Sequence, residues 1–357
     1  MAKVLMKGNE AIGEAAIRAG CLNYFAYPIT PQSEVAEYLA RRLPEEGGVF
    51  LQGESEVAVS YMIFGASGCG ERVMTTSSSP GISLMGEALS YITCGECPAV
   101  FVNIVRGGPG LGGILPSQGD YLQATKGGGH GDYRLLVMAP DSVQEAVEMT
   151  MAAFPLAEKY RNPVMILGDG LIGQMMEPVE FPEDLAAAPT NKDDWATNGM
   201  DTRGSETRNL LKTLYLDPEA LNAHNLKLRA KYEKMKAEEV RYKTYNIESD
   251  YQALIVSYGT MSRVCRTAID NFKEEGLEVA MIRPQTVFPF PEAAIHEAAG
   301  KDGCKVAVSV EMNMGQMLED VRLSVLGQCP VEWYGKCGGE VPTPEEVMEA
   351  VRSFIGS

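Results

Sequence analysis

A chain of 357 residues, 45% of them hydrophobic, has material for a sizeable core and, at about 150 residues per domain, for two domains. Its formal charge of -17 argues against nucleic acid or an anionic membrane as a partner. No apolar run approaches the ~20 residues that span a bilayer, and Met1-Ala-Lys-Val-Leu-Met-Lys-Gly8 does not read as a signal peptide, so a cytoplasmic chain is expected.

Strand-like apolar runs alternate with amphipathic stretches over the first half of the chain. Strands are predicted at Tyr24–Tyr27, Val49–Gln52, Val73–Thr76, Ala99–Val105, Leu135–Ala139 and Val164–Leu167. Helices are predicted between them at Gly8–Ala19, Gln32–Leu43, Glu56–Ser67, Ser83–Thr93 and Ser142–Tyr160, the last opened by the cap-like Asp141-Ser142 with Glu145 in its first turn. Such alternation specifies an α/β domain, a doubly wound, mostly parallel sheet covered on both faces. From Phe181 to Asp250 the pattern becomes turn-rich, then charged and helical over Leu216–Tyr242, which reads as a solvated connecting arm. Ala253–Gly259 begins a second, smaller α/β unit, with strands at Val279–Ile282 and Val306–Val310 and a helix at Ser262–Glu275. The expected division is 1–182, a linker with a charged helix over 183–250, and 251–357.

Two motifs carry less than they promise. Gly108-Pro-Gly110-Leu-Gly-Gly113 matches a dinucleotide fingerprint, but Pro116, Gly119 and Gly127–Gly129 cannot sustain the helix that would hold a pyrophosphate. Gly168-Asp169-Gly170 with Asn191 imitates a magnesium site, yet Pro178 and Pro182 interrupt the segment between them, so a strand-end turn is expected. The eight cysteines form no disulfide framework. Cys94-Gly-Glu-Cys97 precedes a strand instead of opening a helix after one, which speaks against redox chemistry, and no cluster cysteines are present.

The positive signals sit at predicted strand ends, where ligands bind in open α/β sheets. Tyr27-Pro-Ile-Thr-Pro-Gln-Ser33 sets Thr30 between two prolines, as a carboxylate donor or as part of a structural turn. Glu54-Ser-Glu56 runs straight into an apolar helix. Glu54 suits a first-turn acid favoured by the dipole, whereas Glu56 leads into a face expected to be buried. Thr75-Thr-Ser-Ser-Ser79-Pro-Gly81 is a hydroxyl-rich end, and Arg106 closes the most apolar strand, paired with an acid or awaiting a carboxylate. His130, flanked by glycines, reads as a structural hydrogen-bonder.

Taken in order, Met6-Lys-Gly-Asn-Glu10, Tyr27–Glu34, Glu54-Ser-Glu56, Thr75–Gly81 with Leu84-Met85, Val105–Gly110, Pro116-Ser-Gln-Gly-Asp120 and Glu311–Gln316 resemble the α subunit of 2-oxoacid:ferredoxin oxidoreductases. The branched-chain (2-oxoisovalerate) and 2-oxoglutarate types look closest. The resemblance covers essentially the whole chain and implies a thiamine pyrimidine-binding domain followed by a transketolase-C-like domain. It implies that Glu56 bonds N1′ of thiamine diphosphate, with Pro28, Ile29, Ser79 and Pro80 against the same coenzyme. Thr30 and Arg106 would hold the oxoacid carboxylate.

A separate β subunit would bring the diphosphate site, Mg2+ and a [4Fe-4S] cluster. Gamma and ferredoxin-like delta subunits would complete the assembly, and ferredoxin and coenzyme A would act as acceptors. Oxidative decarboxylation to acyl-CoA is therefore expected only with the β subunit present, branched-chain acids being slightly favoured. The alternatives are a non-catalytic docking subunit or the pyrimidine domain of another thiamine enzyme. Asn313 and Gln316 fit a domain interface as well as a ligand.

Overall fold

The computed structural model describes residues 3–185, 188–199 and 206–356; residues 186–187 and 200–205, within the expected linker, lie outside it. Strands β1 (Val4–Lys7), β2 (Asn23–Ala26), β3 (Val49–Gln52), β4 (Val73–Ser77), β5 (Val100–Val105), β6 (Leu136–Met138), β7 (Val164–Asp169) and β8 (Met176–Val179) belong to the first half. Interleaved with them are helices α1 (Gly8–Arg18), α2 (Ser33–Glu45), α3 (Glu56–Gly68), α4 (Pro80–Leu84), α5 (Gly86–Cys94), α6 (Tyr121–Lys126), α7 (Val143–Tyr160) and α8 (Gly170–Gln174). Helix α9 (Pro218–Glu238) leads to β9 (Tyr242–Tyr245), β10 (Ala253–Val256), α10 (Gly259–Glu274), β11 (Val279–Pro284) and β12 (Thr286–Phe288). The chain ends with α11 (Glu292–Ala299), β13 (Val306–Glu311), α12 (Gln316–Val325), β14 (Val331–Gly335) and α13 (Pro344–Ile355).

The first sheet has seven strands in the order β12-β6-β7-β5-β4-β2-β3, parallel except for β12. Its central strands β5 and β7 are buried throughout, as their unbroken apolar runs require. The second sheet, of five strands, runs β14-β13-β10-β11-β9, with only β9 antiparallel. One apolar cluster packs α1, α2 and α7 on one face of the first sheet. A second cluster joins Phe101, Val105 and Met165 to Leu254, Ile282 and Ala307 of the second sheet, so the two units share a core.

Several expectations change. The single helix over Ser83–Thr93 is two, broken at Met85. The arm over Leu216–Tyr242 is shorter and not simply solvated: Asp217 caps α9, and Leu228, Tyr232 and Met235 pack on the first core while Leu221 and Leu226 stay exposed. Strand β9 lies in the stretch read as linker yet pairs with β11. Strand β12, from the C-terminal unit, pairs with β6. Both additions depend on partners distant in sequence, which local periodicity does not reveal.

Charge ties the two halves where β11 meets α7. Ser142 caps α7 by accepting from the Glu145 amide. The fully buried Arg283 donates to both Glu145 oxygens at 2.7 and 2.6 Å and lies 3.2 Å from Asp141. Lys243 and Gln285 also donate to Glu145, at 2.7 and 3.0 Å. Burial alone would lift this carboxyl, but Arg283 and Lys243 outweigh it and hold it down to about 2.

Candidate active site

The loops that leave β2, β3, β4, β5 and β7 share one rim of the first sheet, because these strands are parallel and each chain exits at its carboxyl end. Ser55 stands at the end of the β3 loop, where its hydroxyl caps α3 by accepting from the Ala58 amide at 3.2 Å. That cap makes Glu56 the first residue of the helix and turns its side chain inward, leaving it 7% exposed. Its carboxylate accepts no hydrogen bond from any described residue. The helix behind it is less buried than its composition suggests: Val59 and Ile63 face the core, but Val57 and Tyr61 are exposed. Glu54 is exposed, as a dipole-favoured acid should be.

The end of β4 faces Glu56. The Oγ atoms of Ser77 and Ser78 and Oγ1 of Thr75 are buried without a hydrogen-bond partner among the described residues, which is costly unless a ligand supplies one. Gly81 keeps the space between them open. A Cβ there would stand 2.1 Å from Ser77 Oγ and 2.9 Å from Glu56 Oε1. A carboxyl group, unpartnered hydroxyls and a glycine-lined slot fit a flat heterocycle carrying both acceptor and donor nitrogens, as the thiamine aminopyrimidine does.

Arg106 follows β5 with its guanidinium buried, although no acid among the described residues pairs with it. One terminal nitrogen donates to the Thr30 carbonyl at 2.9 Å and the other to the Leu111 carbonyl at 3.1 Å, while Nε has no partner. Thr30 is thus brought to Arg106 through its carbonyl, its side chain facing solvent next to a cis Thr30-Pro31 peptide. Pro28 is exposed, Ile29 and Pro80 half-buried. The Pro31 carbonyl is held by the Asn9 side chain at 2.8 Å. Ser79 links the strand ends: its amide donates to Asn103 Oδ1 at 3.1 Å, and its Oγ accepts from the Arg106 amide at 3.1 Å. Asn103 in turn donates to Asp120 at 2.8 Å, and burial raises the Asp120 carboxyl although these contacts oppose it. Asn103 was missed in the sequence, although a lone amide inside the apolar Val100–Val105 run is a usable signal.

The remaining expectations separate cleanly. Asp169 caps α8 by accepting from the Leu171 and Ile172 amides at 2.8 and 3.2 Å, and in place of the expected turn the strand runs through Asp169 and passes directly into the helix at Gly170. Asn191 closes its own turn by accepting from the Asp193 amide. No helix follows Gly108–Gly113 until Tyr121, and the loop folds back with Gly107 donating to the Leu115 carbonyl at 3.1 Å. Cys94 ends α5, and burial pushes the Cys97 thiol up to about 12, which leaves neither poised as a nucleophile.

His130 lies edge-on to Tyr91 in an exposed loop. Asn313 and Gln316 belong to the domain interface, donating to the carbonyls of Gln118 and Gly119 at 2.9 and 2.6 Å. Two cavities of ≈ 920 and ≈ 320 Å³ are lined by neither Glu56, Thr30 nor Arg106.

This architecture recurs in a solved transketolase. A split-gene transketolase, solved as an inactive β4 tetramer, superposes with a TM-score of 0.60 at 14% identity over 98% of each chain, a likeness of fold alone. Residues 14–244 match the thiamine-diphosphate-binding region of pyruvate flavodoxin/ferredoxin oxidoreductases, and residues 252–347 match core domain II of pyruvate:ferredoxin oxidoreductase. The chain belongs to the 2-oxoacid:ferredoxin oxidoreductase family, as an α-type subunit. It is 46% identical to the ketoisovalerate oxidoreductase subunit VorB of Methanothermobacter thermautotrophicus, over 100% of this chain and 99% of that protein. It is 36% identical to the 2-oxoglutarate synthase subunit KorA of the same organism, over 97% of each. The 2-oxoglutarate:ferredoxin oxidoreductase from Magnetococcus marinus, solved with 2-oxoglutarate, coenzyme A and succinyl-CoA bound, superposes with a TM-score of 0.86 at 28% identity, covering 99% of this chain and 65% of that longer one.

Proposed function

We propose that this chain is the pyrimidine-binding subunit of an oxidoreductase that converts 3-methyl-2-oxobutanoate and coenzyme A to the branched acyl-CoA, releasing carbon dioxide and reducing ferredoxin. The greater identity to the ketoisovalerate subunit than to the 2-oxoglutarate subunit supports the branched substrate. When bound, thiamine diphosphate supplies the carbon nucleophile and the sink for the electrons freed on decarboxylation. Glu56 would hydrogen-bond the pyrimidine N1′ from the start of α3, with Pro28, Ile29, Ser79 and Pro80 confining the ring. Arg106 and Thr30 would orient the oxoacid carboxylate, and Asn103 with Asp120 would hold Ser79 in place.

The exposed Val57 and Tyr61 on α3, beside Glu56, support a partner chain seated over this rim. That partner is the β subunit, carrying the diphosphate site, Mg2+ and the [4Fe-4S] cluster, with gamma and delta subunits relaying electrons to ferredoxin in the cytoplasm. Residues 1–182 would form the pyrimidine-binding domain, 183–250 the linker and 251–357 the transketolase-C-like domain. Within no helix of the described residues is there a stretch long and apolar enough to cross a membrane.

The observation that carries the reading is the slot between Glu56, Ser77 and Gly81. Its test is calorimetric titration of thiamine diphosphate into the reconstituted complex, alongside oxoacid-dependent ferredoxin reduction. The Glu56→Gln variant should still assemble and lose the reduction. A variant complex that reduces ferredoxin at the wild-type rate rules out the catalytic role and leaves a docking subunit.

A further inference from the structure

The loop after Arg106, Gly107-Gly-Pro-Gly-Leu-Gly-Gly-Ile-Leu115, holds three large apolar side chains in water: Leu111 is 82% exposed, Ile114 58% and Leu115 56%. A glycine-rich loop with such residues outward is costly in a chain with so much charge to spare for its surface. The loop does not wander. Gly107 donates to the Leu115 carbonyl at 3.1 Å, Gly113 donates to the Gly107 carbonyl at 2.8 Å, and Arg106 bridges to Pro116. It is also held to the rim. The Leu111 carbonyl accepts from the Arg106 guanidinium, which also binds the Thr30 carbonyl. A Cβ on Gly170 would meet Pro31 Cγ at 3.5 Å and the Ile114 carbonyl at 3.6 Å, so Ile114 and the Thr30-Pro31 turn border the same glycine.

Charge narrows what this edge can accept. The strand-end segments 27–33, 53–59, 75–86, 106–120 and 168–174, with the abutting 311–316 and 337–340, contain a single cation, Arg106. One guanidinium serves one carboxylate. Along the loop itself, residues 107–115, a second carboxylate would meet only glycine, proline, leucine and isoleucine, the nearby Lys336 being paired with Glu346, and an uncompensated charge against such a surface is strongly disfavoured.

We infer that Leu111 and Ile114 form the wall that receives the aliphatic chain of the oxoacid and select a branched side chain over a second carboxylate. This rests on the function proposed above, with Arg106 and Thr30 at the substrate carboxylate. Removing methylene contacts in an apolar pocket changes discrimination by roughly 10–200-fold. The test uses the reconstituted complex with Leu111→Ala, Ile114→Ala and Ile114→Lys, and Leu323→Ala as a remote control.

For the alanine variants, kcat/KM with 3-methyl-2-oxobutanoate should fall at least about 10-fold relative to pyruvate. Calorimetric Kd for the unreactive 2-hydroxy-3-methylbutanoate should weaken to match, while that for lactate stays put. Ile114→Lys should raise the ratio of 2-oxoglutarate to 3-methyl-2-oxobutanoate turnover by about 10-fold or more. Unchanged ratios in an active, assembled complex overturn the inference. So does equal loss with every oxoacid, or failure of the variants to assemble, which would make the loop a subunit contact. A wild-type complex inactive with all oxoacids overturns the proposed function itself, and this inference with it.

Discussion

The rim around Glu56 and the latch around Glu145 are both buried, acidic and built at helix starts, yet they treat their polar atoms in opposite ways. At the latch, one carboxylate collects Arg283, Lys243 and Gln285, and only Arg283 Nε is left without a described partner. At the rim, the Glu56 carboxylate has no described partner, and three neighbouring hydroxyls are orphaned. A buried polar group without a partner is costly, and here a carboxyl group and three hydroxyls bear that cost in one slot. A carboxylate saturated by cations therefore marks a structural joint, and an unpartnered carboxylate among orphaned hydroxyls marks a place that a ligand can complete.

The contrast is broken most severely at Glu56. Glu56→Gln should lower oxoacid-dependent ferredoxin reduction by about 10²–10⁴-fold, the range of a lost acid–base contribution, with the thermal midpoint of the chain nearly unmoved. Arg283→Met should do the reverse. It leaves Glu145 and Asp141 buried without their guanidinium, so denaturant titration should show a loss of about 3–5 kcal/mol, while kcat at a permissive temperature persists.

Gly81→Ala sits between these extremes. Its methyl group would crowd Ser77 and Glu56, and calorimetry should show at least about a 10-fold weaker thiamine diphosphate affinity at unchanged subunit assembly. The latch can also be read through pH. Because the Glu145 carboxyl is depressed from 4.5 to about 2, its stabilisation is complete above pH 4.5 and is lost as pH falls toward 2. Asp141, raised by burial, works in the opposite sense and offsets part of that loss. Urea midpoints against pH should fall across this window, and less so in Glu145→Gln. The smallest effect belongs to Asp217→Ala, which removes the α9 cap and should cost about 1 kcal/mol in the same titration.

How far the sequence carried depends on whether a feature is local. Val100–Val105 and Val164–Asp169 announce buried parallel strands by composition, and Asp141-Ser142 announces a helix start. Glu56 could be singled out because an acid opens an apolar helix, and the order of the motifs disclosed the family. The use of Arg106 on two carbonyls was not legible, since the Thr30 carbonyl is 76 positions away. Nor was the pairing of Gln118 with Asn313, a contact separated by 195 positions. The break at Met85 was hidden because Ser83–Thr93 contains neither proline nor glycine except Gly86, whose effect on a helix is modest.

Strand β12 leaves the C-terminal half to complete the first sheet, and β9 precedes that half while completing the second. Severing the polypeptide near residue 250 would therefore strip an edge from each sheet and lay open the backbone of β6 and β11, inviting aggregation. Neither portion should behave as a stand-alone unit, and proteases should nick surface turns long before they liberate a stable fragment.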